Sequence, residues 1–263
     1  MNDLISNLLQ YKAMAVGIWL GLFFILERAL PHALNIPKGR DNLNRLGRNF
    51  GLIAVNFALS PLVIIPISAY ASAHALGLTA DFRQDWWQGL TGLLLDLLIL
   101  DFCIYWWHRF MHIMPFFWRF HEIHHLDVTL DVTTALRFHF GEVLLSAGIR
   151  AGIVILLDLP IFSIVVFETL VLFSSIFQHS NLKIPLSIDR LLSFVIVTPG
   201  WHWMHHHAVR IDTDSNYSNT LTIWDRLFGS RSQHQRDNQM PIGVGNEPEK
   251  GFLHLIWRPV ERR

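Results

Sequence analysis

Apolar side chains in this chain come in long blocks rather than in alternation, and block length is the first guide to what each segment forms. Residues 13–30 are apolar almost throughout, interrupted by Glu27 and Arg28 near the end, where the two can pair and reach an interface. A second block, 49–73, carries Pro61 and Pro66, which predict a bend and freed carbonyls that must be satisfied locally. A third opens on Trp86 and Trp87, an aromatic pair suited to a membrane interface, and runs to Trp107. Blocks 143–158 and 161–177, separated by Leu159 and Pro160, are each short for a full crossing and predict a helical hairpin that crosses and returns. Residues 188–197 are apolar but too short to span, which predicts an interfacial segment. The pattern as a whole reads as an all-α integral membrane protein, one membrane domain over residues 1–263, with about four transmembrane helices.

The polar stretches between blocks set an orientation. Residues 31–48 hold Lys38, Arg40, Arg45 and Arg48, a short basic loop of the kind retained in the cytoplasm, which puts the N-terminus on the other side. Residues 1–12 lack a basic start and a small-residue cleavage site and are not read as a removable signal peptide. Counting crossings, the third block ends at the cytoplasmic face. Residues 126–142 then read as a polar cytoplasmic segment, and the hairpin returns residues 178–181 to that side, where Lys183 and Arg190 follow. Further on, 230–250 read as a surface loop, and 251–263 as a short interfacial helix with basic residues reaching headgroups.

Composition supports the membrane setting and narrows the partners. Half of the residues, 51%, are hydrophobic and 16% are charged, below the quarter usual in soluble domains. The 21 basic and 21 acidic residues balance, so no basic field for nucleic acid exists. Cys103 is the only cysteine, which rules out an intrachain disulfide and a thiolate metal site. Any metal must be held by histidine, with or without carboxylates.

Histidine is where the chemistry concentrates. His108 and His112 are four apart; His121, His124 and His125 are three and four apart; His202, His205 and His206 repeat that spacing, with His207 appended. On helices each set lines one face, the geometry of a metal site. A single i, i+4 pair is weak evidence, but three boxes with adjacent histidines are not explained by solvated faces. Asp101, two turns before His108, shares its face and is expected to hold an imidazole N–H from behind. Asp96, in the same apolar block, reads equally well as a locally hydrogen-bonded acid. His139 and His179, taken alone, would be structural.

Asp101, Tyr105, His108, Arg109 and His112, then Trp118, His121, His124 and His125, then His202, His205 and His206, followed by Asn216, Tyr217, Leu221, Trp224, Asp225, Phe228 and Gly229, together resemble the fatty acid hydroxylase superfamily. This superfamily includes sterol desaturases and alkylglycerol monooxygenase. The resemblance covers roughly residues 95–230 as a catalytic region. It implies a cytoplasmic helical cap holding two metal ions, with His139 and His179 joining the three boxes as ligands. The segment at His139 departs from the family pattern, with Phe140 where proline is usual. His207 is an addition to its box and is read as a non-ligand.

Two metals held largely by neutral imidazoles, with open positions, can activate dioxygen toward an unactivated C–H bond; iron suits the task and zinc, lacking redox chemistry, does not. The expected activity is therefore O2-dependent hydroxylation or desaturation of a fatty acyl, sterol or related membrane lipid at a di-iron centre. With neither a dinucleotide fingerprint nor a haem attachment motif in the sequence, electrons are expected from a separate cytochrome, ferredoxin or reductase. Two other classes compete. His121, Glu122 and His125 spell H-E-x-x-H, the signature of a zinc metallopeptidase with Glu122 as general base. A metal transporter or sensor is the third reading, but its spans should carry a chain of intramembrane ligands, and these do not.

Overall fold

The structure is a computed structural model and describes residues 2–33, 36–78, 83, 85, 87–244 and 251–261. Trp86, residues 245–250 of the surface loop, and Arg262 and Arg263 lie outside the described residues. The described residues are mainly helical, with three isolated backbone bridges and no strand.

Five helices are long and apolar enough to cross a membrane. They are α1 (Asn2–Ala29); α2 (Gly39–Leu59), which continues through a π-turn at Ser60–Ile64 into α3 (Ile65–Ala73); α4 (Gly89–Ile113); α6 (Phe140–Leu157); and α7 (Ile161–His179). The hairpin α6–α7 supplies two of the five. At 18 and 19 residues its arms are about 27–29 Å long, close to the thickness of a hydrocarbon core. Pro61 lies in the π-turn and Pro66 at the start of α3, where a missing N–H disrupts the ladder least.

Outward faces such as Ile18 and Ile25 on α1 and Phe57 on α2 are exposed, as expected of helices whose solvent is hydrocarbon. Inward, Leu100, Val154, Leu159, Ile164 and Phe167 pack into one cluster against Ala71. Charges within the spans are paired. Glu168 on α7 meets Lys12 at 2.7 Å and Arg150 at 3.1 Å. Asp96 accepts from Arg83 (2.8 Å), the Trp87 indole (3.0 Å) and Ser163 (2.6 Å), so it is the hydrogen-bonded acid and not a free one. Glu27 pairs with Arg28 at 2.8 Å and also accepts the backbone N–H groups of Val132 and Asn181.

Beyond one end of the bundle lies a helical cap: α5 (Pro115–His125), α8 (Leu186–Leu192), α9 (Pro199–His205), the short α10 (Arg210–Thr213) and α11 (Ile223–Leu227), and α12 (Phe252–Trp257). Pro115 starts α5 immediately after α4 ends, because the residue before proline avoids the helical region. Thr198 caps α9 by accepting the Trp201 N–H, as its position before a proline predicts.

Three expectations change here. Helix α2 begins at Gly39 and not at residue 49, so the basic stretch is helical and Arg45 is not at the surface. The segment 126–142, read as polar and exposed, is the interior of the cap: Asp127, Asp131, Thr133, Thr134 and Arg137 are all buried. They are satisfied as a network. Arg45 donates to Asp127 (2.6 Å), Asp131 (2.8 Å) and the Thr129 carbonyl (2.9 Å), while Asn49 joins Asp127 to Arg137 at 2.9 and 2.6 Å. Finally, α12 packs onto α2 rather than lying free at an interface: Leu255 is fully buried, and a Cβ on Gly51 would sit 2.7 Å from the Phe252 ring. Arg258 is likewise buried, paired with Glu122 at 3.1 Å.

Candidate metal centre

Helix α4 carries His108 and His112 out of the bundle, and the sharp break at Met114 folds α5 back so that His121 and His125 face them. Helix α9 approaches from the other side, with α7 delivering His179 at its last residue. The result is two adjoining groups. His108, His112, His121, His125 and His205 form one, and His124, His179, His202 and His206 the other, with the ring nitrogens of each group within 4.8 Å of one another. Nine of the ten histidines that the sequence singled out are thus brought together from four helices.

The tautomers are set from behind. Nδ1–H groups donate to oxygen in six of the nine: His108 to Tyr217 O (2.7 Å), His112 to Asp214 (3.3 Å), His121 to Glu142 (3.0 Å), His124 to Arg137 O (3.2 Å), His179 to Ser175 O (2.7 Å) and His205 to Ser215 O (2.7 Å). A neutral ring whose Nδ1 holds the proton turns a bare lone pair outward from Nε2. Those lone pairs converge. His108 and His121 bring their Nε2 atoms to 3.1 Å, and His124 and His179 to 3.0 Å. With both protons on Nδ1, neither pair can hydrogen-bond, and two lone pairs at this distance repel unless a cation lies between them. Ligands about 2.1 Å from one metal at right angles are about 3 Å apart, the spacing found here. Nε2 of His112 and of His205, buried and without a hydrogen-bond partner, points to the same conclusion. The donor set fits a metal.

Several of the rings are also held neutral. Burial first, and then the neighbouring imidazoles, push His124, His125, His202 and His206 well below the usual histidine range; burial takes His205 down to about 3. Neutral imidazole is the ligating form.

Two residues, His139 and Asp101, stand differently from expectation, and Glu122 and His207 lie apart from the two groups. His139 joins neither group: its Nδ1 accepts the Gly141 N–H as the cap of α6, and its Nε2–H donates to Ile256 O at 3.0 Å, so both nitrogens serve the scaffold. Asp101 holds no imidazole. Its carboxylate accepts the backbone N–H groups of Thr220 and Leu221 (both 3.2 Å) and the Trp224 indole (2.8 Å), anchoring the segment whose Tyr217 carbonyl orients His108. Glu122 is in neither histidine group and accepts from Arg258 at 3.1 Å, an engagement a general base on zinc would not need. His207 lies outside both groups and bonds Asp212 at 2.8 Å.

Several supports went unread in the sequence. Asp225 gathers the N–H groups of Tyr217 (2.8 Å) and Ser218 (3.1 Å) and the Trp201 indole (3.0 Å), tying the loop behind His108 to α9. Gly229, at φ +65°, lets the chain turn so that Ser230 reaches Asp225 at 2.7 Å. Glu142, which accepts from His121 at 3.0 Å, carries no local signal, because the match depends on how α5 packs on α6.

Residues 93–230 match the family described as fatty acid hydroxylase. Among individual proteins, the chain is 30% identical over 195 residues to an ornithine lipid hydroxylase of Rhizobium tropici, covering 74% of this chain and 58% of that protein. It is 29% identical to an alkylglycerol monooxygenase of Danio rerio, over 63% of this chain and 35% of that one. A cholesterol 25-hydroxylase of Mus musculus is 27% identical, over 64% and 57% respectively. The chain therefore spans between about a third and three fifths of these relatives' lengths. No solved structure matches. The matched region holds all nine clustered histidines and the six residues that accept from their Nδ1–H groups, and it covers more than half of the sequence; the chain belongs to the fatty acid hydroxylase family.

Proposed function

We propose that this chain is a membrane-bound oxidoreductase that uses two iron ions, dioxygen and externally supplied electrons to hydroxylate or desaturate a C–H bond of a fatty acyl, sterol or related lipid. The observation that carries the reading is the pair of buried all-imidazole groups, six of their nine rings oriented from behind, at the end of five apolar helices. His108, His112, His121, His125 and His205 would hold one ion, and His124, His179, His202 and His206 the other. Iron bound there would supply the redox chemistry that opens an unactivated C–H bond, which zinc does not have. The protein's own part is to keep Nε2 free of protons in the six rings whose Nδ1–H it engages, to hold those rings through Tyr217, Asp214, Glu142, Arg137, Ser175 and Ser215, and to bury the centre away from water.

Substrate and reductant reach such a centre from different phases. The lipid comes through the spans, and electrons come from a separate cytochrome, ferredoxin or reductase on the cap side. That side is the cytoplasm on this reading, supported by the exposed Lys38, Arg40, Lys183 and Arg190 at the cap end. Residues 95–230 form the catalytic region of a single membrane domain. The relatives' names span an ornithine lipid, alkylglycerols and cholesterol, which supports membrane lipid as the substrate class and not one member of it.

Lipid extracts from cells with and without the protein, compared by mass spectrometry, are expected to differ by a species that has gained one oxygen or lost two hydrogens. Glu122→Gln is expected to retain that activity within a few-fold, because an amide still accepts the Arg258 N–H. An identical lipid profile with and without the protein, or loss of activity in Glu122→Gln accompanied by peptide hydrolysis in the wild type, overturns the reading.

A further inference from the structure

Arg236 is a cation set in the cap with little to balance it. Its guanidinium lies over Trp203, 3.7 Å from the ring centroid, and Nη1 donates to the Leu182 carbonyl at 3.2 Å. Nε and Nη2 are shielded from water and meet no acceptor. Burial pushes the group down to about 9, against the attraction of Asp189. Unmet donors on a buried cation are unfavourable, and an anion is the natural complement.

The same residue lines a cavity of about 390 Å³, shared with Pro31, His32, Lys183, Asp237 and Asn238. Lys183 is exposed at its mouth, and His32, edge-on to Trp203 at 5.9 Å, has a buried Nε2 without a partner. Asp237 is the only acid in the lining, and one of its oxygens already accepts the Gln239 N–H at 2.7 Å. Two cations thus stand against one carboxylate in the lining, with Asp189 attracting Arg236 from outside it.

Its depth is set by the spans. The apolar part of α1 ends at Ala29 and that of α7 at His179. The two exits are joined backbone to backbone, His32 N–H to Asn181 O and Lys183 N–H to Leu30 O, both 2.8 Å. The cavity opens two to four residues past both ends, the level of a headgroup layer about 5–7 Å thick.

We propose that this cavity binds the phosphate or carboxylate of an anionic lipid headgroup, gripped by the planar fork of Arg236 and the ammonium of Lys183. The fork suits either anion bidentately. Trp203, the wall on which Arg236 rests, sits on α9 between His202 and His205, so the bound headgroup lies beside the histidine-bearing helix. The claim is one of binding and stands whether or not the oxygenase reading does.

Calorimetric titration of the full chain in dodecyl maltoside with dihexanoyl phosphatidic acid tests it, with dihexanoyl phosphatidylcholine and inorganic phosphate in parallel. Phosphatidic acid is expected to bind about tenfold more tightly than either comparison. Arg236→Gln should weaken it about tenfold and Lys183→Gln about threefold, with Lys38→Gln, an exposed cation elsewhere at the cap end, unchanged. Should Arg236→Gln fail to fold, the exposed Lys183→Gln and the charge-preserving Arg236→Lys decide. No binding of phosphatidic acid, or equal affinity in wild type and these variants, overturns the proposal; inorganic phosphate binding as tightly as phosphatidic acid overturns its assignment to a lipid.

Discussion

His124→Ala and His205→Ala are each expected to abolish lipid oxidation while leaving the protein in the membrane. The two residues belong to different groups, so each substitution would open a different one of the two proposed ion sites. Loss of an outer supporting partner alone typically lowers metal affinity by 10- to 100-fold, so loss of a ligand is expected to lower product by at least about a hundredfold. Folding is affected much less. Removing the ring leaves one carbonyl, Arg137 O or Ser215 O, without a donor, an expense of about 1–3 kcal/mol against a typical reserve of about 5–15 kcal/mol. His139→Ala provides the contrast: it removes the cap of α6 and costs about 1 kcal/mol of stability, but bound metal should be unchanged. Lipid mass spectrometry on membranes with matched protein levels is the check. Undiminished product in both variants would remove the proposed ligand roles.

Arg45→Ala is expected to be the most destabilising single change in the cap. It strands Asp127 and Asp131, both buried, and breaking such a pair typically costs about 3–5 kcal/mol. For a chain of this size that corresponds to a drop of roughly 10 °C in melting temperature. The loss propagates to the second histidine group, because Asn49 links Asp127 to Arg137, whose carbonyl orients His124. A pH signature accompanies it. Burial alone would raise Asp127, but the Arg45 and Arg137 charges more than offset this and hold it at about 2, below its unfolded value near 3.8. A carboxylate depressed in the folded state stabilises above its unfolded pKa, and that contribution is lost as pH falls from about 4 through 2. The amount is about 2 kcal/mol, and thermal melts of the wild type in detergent should show it between those pH values. In Arg45→Ala the same acid-induced loss should shrink. A variant as stable as wild type, with an unchanged acid profile, would contradict this description of the cap.

What the sequence made legible follows from how local each signal is. Histidines three and four apart share a helix face wherever the helix lies, so the boxes at 108–112, 121–125 and 202–206 were readable without knowing the packing. Asp101 obeyed the same rule and misled. It does share a face with His108, but its carboxylate meets N–H groups some 120 residues later in the chain, a partner no spacing argument reaches. His139 was obscured for a similar reason, since a cap is recognised by the backbone it meets, here Gly141, and by the tail that folds onto it at Ile256. Asp127 and Asp131 looked like a hydrated loop because polarity alone does not distinguish water from a buried guanidinium contributed 82 residues earlier. The membrane helices were legible by length, except where α2 runs past its apolar stretch to present Arg45 and Asn49 inward.

The central claim is that imidazoles from four helices grip a pair of redox-active ions. Elemental analysis of the full chain, purified in detergent after expression with iron, measures that claim directly. The expected result is about two irons per chain, one for each histidine group, falling in His124→Ala and in His205→Ala and held in His139→Ala. A single zinc, or iron content indifferent to His124 and His205, would contradict it.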